Sequence, residues 1–229
     1  MELAIDTSTN YNGIALSNKG KAVAEFTWYS WQNHTTELLP NIHILLSRKT
    51  ITINAIKAIF VAIGPGSFNG LRVGVSTAKG LAAGLNAALV AISTLEIEAY
   101  QFADTYLPII PIQSAGKGEI AIATYQKVQE WHCLKQARIT TVDELLRQVK
   151  LKTLFCGEIP EVLVGQLQQE LQELAIIPDN ALRLRKPGCL AQLGWQRLIN
   201  HQSDNPATLQ PIYLREPPIT ISKQKTIKK

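Results

Sequence analysis

Apolar positions in the first half of the chain group into three short strands, followed by alternating helices and strands. Runs or alternations of apolar residues predict the strands, and apolar residues three to four positions apart predict the helices. The predicted strands are 3–5, 14–16, 23–29, 56–63 and 88–92. The predicted helices are 35–46, 71–85 and 96–103. The first half therefore follows the order βββαβαβα.

The second half repeats this order at an offset of about 106 residues, which indicates an internal duplication. Its predicted strands are 109–112, 120–125, a polar alternating strand near Trp131, 153–156 and 181–184. Its predicted helices begin at 141 and cover 161–174 and 190–199. The pattern predicts an α/β fold of two tandem βββαβαβα domains, residues 1–104 and 105–214, that face each other across a cleft.

A duplicated βββαβαβα layout is the architecture of the RNase H-like class that contains actin-like ATPases, sugar kinases and Hsp70-type nucleotide-binding domains, together called ASKHA. In this layout each half offers a hairpin loop to the phosphates of a nucleotide. The first hairpin loop holds Asp6, Thr7, Ser8 and Thr9, one carboxylate and three hydroxyls. These groups either face a phosphate or satisfy the backbone of their own turn. They form the candidate nucleotide-binding loop.

The corresponding loop of the second half begins with Gln113, an amide where a facing carboxylate would help to hold Mg²⁺. Phosphoryl transfer at such a cleft needs a metal ion to neutralise the phosphates. We therefore expect no ATPase activity and no required cofactor, and we expect any binding of ATP or ADP to be weak.

Other catalytic patterns are incomplete. The four histidines, His34, His43, His132 and His201, have no metal-ligand spacing. The segment Gly66–Gly70 resembles a nucleophile elbow, but its serine is second in the motif and no His/Asp pair is placed to activate it. The sequence predicts no catalytic residue and no metal site.

The helix after the glycine-rich loop has small residues at every fourth position. They are Gly66, Gly70, Gly74, Ala78 and Ala82. Glycines inside this helix cost about 1 kcal/mol each relative to alanine, so a compensating contact is expected. One interpretation is tight packing on the protein's own sheet. The other, which we favour here, is an interface with another helix, because only two residues of the helix are charged.

Composition limits the class of protein. The chain has 229 residues, 46% of them apolar, and three cysteines without a C-x-x-C pair, which indicates folded domains in a reducing compartment such as the cytoplasm. The N-terminus lacks the pattern of a signal peptide, and we expect no membrane span. Most of the net charge of +5 comes from residues 215–229, which hold five basic residues and one acidic residue. We expect this basic tail to be disordered.

Four segments of the chain resemble the TsaB family, also called YeaZ. They are Leu3-Ala4-Ile5-Asp6-Thr7-Ser8-Thr9, Gly64-Pro65-Gly66-Ser67-Phe68-Asn69-Gly70-Leu71-Arg72-Val73-Gly74, Ala78-Lys79-Gly80-Leu81-Ala82 and Pro211-Ile212-Tyr213-Leu214-Arg215. The resemblance implies a non-catalytic subunit in the synthesis of N6-threonylcarbamoyladenosine in tRNA. It implies a heterodimer with the catalytic paralogue TsaD, recruitment of the ATPase TsaE, a homodimer when alone, and contact with tRNA mainly through the complex.

The resemblance also assigns the glycine-rich helix to the dimer surface. The implied interface residues are Gly70, Leu71, Arg72, Gly74, Val75, Ala78, Lys79 and Ala82. Two positions depart from the family: Asn69 replaces a threonine, and Ser114-Ala115-Gly116 replaces Asp-Ala-Arg, which removes two charges from the second hairpin loop.

Three rival functions remain open, namely an actin-like ATPase, a glycoprotease-like hydrolase and an independent RNA-binding protein.

Overall fold

The computed structural model describes residues 1–31 and 33–215. The first half forms a five-stranded sheet of β1 (Glu2–Asp6), β2 (Tyr11–Asn18), β3 (Lys21–Tyr29), β4 (Ala58–Ala62) and β5 (Ala88–Ile92). Its strand order is β3-β2-β1-β4-β5. The strands β1, β2 and β3 are antiparallel neighbours, and β4 lies parallel to β1 and β5.

The second half forms a matching sheet of β6 (Ile109–Gly116), β7 (Glu119–Lys127), β8 (Trp131–Thr141), β9 (Thr153–Gly157) and β10 (Ala175–Ile176). Its order, β8-β7-β6-β9-β10 when read from the hairpin edge, repeats that of the first sheet strand for strand. The predicted duplication and the α/β fold class are confirmed.

Seven α-helices connect and cover the two sheets in the described residues. They are α1 (His34–Arg48), α2 (Phe68–Leu85), α3 (Thr94–Tyr100), α4 (Val142–Gln148), α5 (Glu161–Leu171), α6 (Asn180–Arg183) and α7 (Pro187–Ile199). None of the helices among these residues is long and apolar enough to cross a membrane. The basic tail predicted from the sequence lies, apart from Arg215, outside the described residues.

The predicted strand at 181–184 is wrong. The last strand of the second sheet is the short β10, which pairs with β9 through Ala175 and Thr153. Residues 180–183 instead form the helical turn α6, in which Leu182 is 54% exposed and Arg183 is buried. The apolar residues of this segment have the pattern of a strand, but β10 already pairs with the edge of β9 that such a strand would use.

The helices pack across the two halves. Helices α1 and α2 cover one face of the first sheet, and α7, from the end of the chain, covers the other. Helix α3, which follows the first sheet, packs on the second sheet, whose opposite face is covered by α4 and α5. A Cβ at Gly194 of α7 would overlap the ring of Phe60, so only glycine permits this close approach. Each half therefore contributes its last helix to the sheet of the other half.

The segment after α7 returns to the edge of the first sheet. The backbone N–H of Asp204 donates to the Leu89 carbonyl at 2.7 Å, and Asp204 Oδ2 accepts from the Ala91 N–H at 2.7 Å. Further along, the Ile212 N–H donates to the Ile63 carbonyl. The free edge of β5 is thus covered, which removes an exposed row of backbone groups.

Candidate functional site

The small residues of α2 and its preceding loop face the first hairpin loop of the same chain. An added Cβ at Gly66 would overlap the Ser8 carbonyl, and one at Gly70 would overlap the Thr7 carbonyl. A Cβ at Gly74 would overlap the Thr7 hydroxyl, which donates to the Gly70 carbonyl at 2.7 Å. The glycines let the start of α2 lie directly against the hairpin loop.

This packing involves most of the predicted interface residues. Six of the eight are buried within the chain itself: Gly70, Leu71, Gly74, Val75, Ala78 and Ala82. Their contacts in the described residues are therefore with the chain's own sheet and hairpin loop. The strip of small residues is therefore core packing, the alternative that the sequence left open.

The two charged interface candidates lie at the surface of α2. The Arg72 guanidinium lies 3.7 Å from the centre of the Phe68 ring, and its Nε donates to the Tyr213 hydroxyl at 3.3 Å. Lys79 Nζ donates to the Leu209 carbonyl at 3.1 Å. Both side chains therefore hold the segment that follows α7 against α2.

The outer face of α2 carries its other glycines. A Cβ at Gly80 or Gly84 would have nothing within 4 Å. Neither glycine is required by packing in the described residues, although each costs about 1 kcal/mol of helix stability. Among residues 1–31 and 33–215, nothing covers the helix at these two positions.

The candidate nucleotide loop satisfies its own polar groups. Asp6 Oδ1 accepts hydrogen bonds from the backbone N–H of Ser8 at 2.9 Å and from its hydroxyl at 2.5 Å. The hydroxyl of Thr9 accepts from the Tyr11 N–H at 3.2 Å. The structure brings the four predicted residues together, and Asp6, Thr7, Ser8 and Thr9 are all buried.

Arg185, from the loop between α6 and α7, fills the space beside this hairpin loop. Its Nε donates to Asp6 Oδ2 at 2.8 Å, and its Nη2 donates to Thr9 Oγ1 at 2.7 Å. Its Nη1 donates to Glu98 Oε1 at 2.7 Å and lies 3.4 Å from Glu158 Oε1. The side chain is about 5% exposed, so one buried guanidinium is shared among three carboxylates.

The surrounding charges keep Arg185 protonated. Burial lowers the pKa of its guanidinium, but attraction to Asp6, Glu98 and Glu158 outweighs burial and raises the pKa. Burial raises the pKa of Glu98 to about 7, although the charge of Arg185 lowers it in part. The cleft is held closed by ionic contacts inside the chain.

The second hairpin loop approaches the same cluster through its amide. Gln113 Nε2 donates to Glu98 Oε1 at 3.1 Å, whereas Ser114 is exposed. The remaining opening between the two hairpin loops is a cavity of about 230 Å³, lined by polar loop residues and Glu158. A phosphate there would meet a carboxylate and no free cation among the lining residues, which is unfavourable for an anion.

Metal and nucleophile chemistry finds no support in the described part of the chain. Residues 1–31 and 33–215 contain no group of three His, Cys, Asp or Glu side chains that could hold a metal ion. His34 is buried and used by the fold, since its Nδ1 lies 3.0 Å from Asn12 Oδ1. Burial raises the pKa of each of the three free cysteine thiols, which disfavours the reactive thiolate.

Sequence reasoning missed Arg185 and Glu98, the two residues at the centre of the cluster. A signal existed for Glu98, because it stands three positions after Leu95 on the apolar face of α3. Arg185 had no such signal, since a basic residue between two helices is ordinarily exposed.

The wider fold is similar to that of actin-like nucleotide-binding proteins. The activator of 2-hydroxyisocaproyl-CoA dehydratase from Clostridium difficile, solved with bound ADPNP, matches with a TM-score of 0.52 at 12% identity, covering 93% of this chain and 99% of that chain. This likeness confirms the predicted ASKHA-like fold and shows nothing about binding.

Sequence and structure comparisons identify the family. The family model "TsaD: tRNA N6-adenosine threonylcarbamoyltransferase" matches residues 29–223. The chain is 30% identical over 217 residues to the tRNA threonylcarbamoyladenosine biosynthesis protein TsaB of Bacillus subtilis, covering 93% of each chain. YeaZ from Pseudomonas aeruginosa matches with a TM-score of 0.76 at 24% identity, covering 92% of this chain and 99% of that one. The chain therefore belongs to the TsaB (YeaZ) family of tRNA threonylcarbamoyladenosine biosynthesis proteins.

Proposed function

We propose that this protein is the non-catalytic subunit of the complex that makes N6-threonylcarbamoyladenosine in tRNA, where it pairs with a TsaD paralogue and helps to recruit the TsaE ATPase. Arg185 carries the proposal. In a working ASKHA cleft, a metal ion and phosphates would occupy the space between the two hairpin loops. Here a guanidinium of the chain itself makes the contacts with Asp6 and Thr9.

The same contact supports weak nucleotide binding at most. To bind Mg²⁺ at Asp6, the chain would have to break a buried ion pair, which costs several kcal/mol. ATP or ADP is therefore not a required cofactor of this subunit. Calorimetry of the purified protein with ATP and Mg²⁺ should give no saturable signal, and a tight, Mg²⁺-dependent signal would contradict the proposal and revive the ATPase alternative.

The outward face of α1 and α2 is the surface that we assign to the partner. On α2 it exposes Gly80, Gly84 and Ser76, and on α1 it exposes Leu39 and Ile44, at 53% and 44%. Small residues let a second helix approach closely, and the exposed apolar residues supply area to bury. Because a TsaD family model matches this chain, a TsaD paralogue would offer an equivalent helix pair. The same face would pair two copies of this chain when the paralogue is missing.

Sedimentation velocity tests this assignment. The protein is measured alone and mixed with the TsaD protein of the same source, as wild type and as the variants Gly80→Leu and Gly165→Leu. Gly165 lies on α5, and no atom of the described residues lies within 4 Å of a Cβ added there, so it is a matched control on another helix. Loss of the heterodimer in Gly80→Leu alone supports the proposal. A heterodimer that survives Gly80→Leu contradicts the assigned surface, and failure of the wild type to bind TsaD contradicts the proposed function.

The remaining partners follow from the same role. We propose that tRNA is contacted mainly within the complex and that the protein works in the cytoplasm, where its three free cysteines would stay reduced. Removing residues 216–229 tests the RNA-binding alternative: tRNA affinity of the isolated chain that depends steeply on salt and vanishes on truncation would favour it.

A further inference from the structure

Two buried oxygens at the centre of the cleft lack a hydrogen-bond donor. Glu98 Oε1 accepts from Arg185 Nη1 at 2.7 Å and from Gln113 Nε2 at 3.1 Å. In the described residues, Glu98 Oε2 and Gln113 Oε1 have no partner. An unpaired buried acceptor is costly, and here two occur on side chains that already share one hydrogen bond.

The space around Glu98 Oε2 is closed. Glu98 is fully buried, and a Cβ added to Gly157 would lie 2.8 Å from Oε2 and 2.5 Å from the Ile112 carbonyl. The backbone of β9 at Gly157 therefore lies close to this oxygen, without room for a side chain between them. A proton is the smallest group that can convert one of the two acceptors into a donor.

We propose that Glu98 carries a proton on Oε2 and donates it to Gln113 Oε1, so that the two side chains form a cyclic acid–amide pair that acts as a pH-sensitive latch of the cleft. The Gln113 amide already donates in the opposite direction, to Glu98 Oε1. The added bond satisfies both remaining oxygens. Gln113 occupies the position in the second half that Asp6 occupies in the first. In this arrangement its amide both donates to and accepts from the neutral carboxyl of Glu98.

The charged and titratable groups around Glu98 lie on β1, on β9, just after β9 and in the loop between α6 and α7, which carries Arg185. Asp6 of β1 and Glu158 after β9 surround Arg185 together with Glu98, and Cys156 of β9 contributes a thiol whose Sγ lies 3.5 Å from the Glu98 carbonyl. With Glu98 neutral, one guanidinium faces two carboxylates. With Glu98 ionised, it faces three, and the third repels the other two.

The direction of the switch follows from burial. Burial raises the pKa of Glu98 from 4.5 to about 7, against the opposing effect of Arg185. The folded state therefore holds this proton more tightly than the unfolded state, and the stability it contributes is lost as the pH rises from about 4.5 to about 7. Above that range the latch is ionised, and the hold of α3 on the two hairpin loops weakens.

An NMR titration tests the protonation directly. The full chain is labelled with ¹³C at the glutamate side-chain carboxyls, and the Glu98 signal is assigned by its loss in Glu98→Gln. We expect a midpoint near pH 7, well above the ordinary glutamate value of 4.5. A Glu98 signal with its midpoint at the ordinary glutamate value of 4.5 overturns the proposal.

Substitutions test the pairing. In the wild type, the unfolding constant should rise by up to about tenfold per pH unit between about pH 4.5 and about pH 7. Glu98→Gln places an amide donor where the acid proton lies, so this variant should keep the fold and lose that pH dependence. Glu96→Gln, on the same helix but paired with Arg197, should keep that slope. Gln113→Leu should move the NMR midpoint of Glu98. If Gln113→Leu leaves that midpoint unchanged, or if Glu98→Gln keeps the slope, the two side chains are not a proton-sharing pair.

Discussion

Arg185 Nε donates to Asp6 Oδ2 at 2.8 Å and so joins the loop before α7, near the end of the second half, to β1 of the first half. The two residues are 179 positions apart, and both side chains are at most 5% exposed. The ion pair is therefore a tertiary contact that forms only when the two halves close on each other.

Arg185→Ala should destabilise the protein strongly. The substitution leaves the buried carboxylate of Asp6 without its cation, and breaking a buried pair in this way costs about 3–5 kcal/mol. Urea denaturation followed by circular dichroism measures the loss. Arg147→Ala, at an exposed position on α4, is the matched control and should change stability by less than about 0.5 kcal/mol.

The space left by Arg185→Ala has the shape of a guanidinium ion. Millimolar guanidinium chloride, far below denaturing concentrations, should raise the melting temperature of this variant more than an equal amount of sodium chloride does. An equal effect of the two salts would show that the carboxylates do not need a guanidinium in this geometry.

Gly74→Leu and Gly80→Leu should differ in their effect on stability although both lie in α2. A Cβ added at Gly74 overlaps the Thr7 hydroxyl, whereas one added at Gly80 has no atom of the described residues within 4 Å. We expect Gly74→Leu to lose several kcal/mol through overpacking, and Gly80→Leu to gain up to about 1 kcal/mol of helix stability. Thermal unfolding of the two variants side by side decides this, and equal stability would contradict the inward orientation of Gly74.

His34 should make the protein less stable in acid. Burial lowers the pKa of its imidazole below 6.5, with a smaller opposing effect of Glu37. The unfolded state therefore binds a proton more readily, and the contribution of neutral His34 to stability is lost as the pH falls below about 6.5.

His34→Gln isolates this effect. Protonation of Glu98 changes the stability in the opposite direction over an overlapping pH range. The difference in unfolding free energy between wild type and His34→Gln is therefore measured at pH 5 and at pH 7, and the two differences are compared. His43→Gln, on the exposed side of α1, is the control. A difference that does not depend on pH would show that His34 takes up a proton equally well in the folded state.

Asp204→Ala should loosen the edge of the first sheet locally. The carboxylate of Asp204 accepts a hydrogen bond from the Ala91 N–H at 2.7 Å, and loss of such a bond to a charged group costs about 1.5–3 kcal/mol. Hydrogen exchange should become faster at Ala91, while the N–H of Ala4 in the centre of the sheet stays protected. Faster exchange at both sites would indicate global destabilisation.

The sequence by itself determined the duplicated order of elements and the class of the fold. Strand and helix periods are local properties, because alternate residues of a strand and every third or fourth residue of a helix share a face. The segments around β1 to β5 and around β6 to β9 could therefore be found one at a time, and their repetition indicated the paired sheets. The short β10 escaped because two residues are too few to show a period.

Tertiary structure decided which face of α2 is covered and what fills the cleft. Helical spacing places Gly70 and Gly74 on one face of α2 and Gly80 and Gly84 on another. Because both faces consist of small residues, their composition could not distinguish the buried face from the exposed one. The partner of Asp6 could not be predicted from the sequence either, because Arg185 lies 179 positions away and is brought beside Asp6 by the tertiary fold, in which α7 packs on the first sheet.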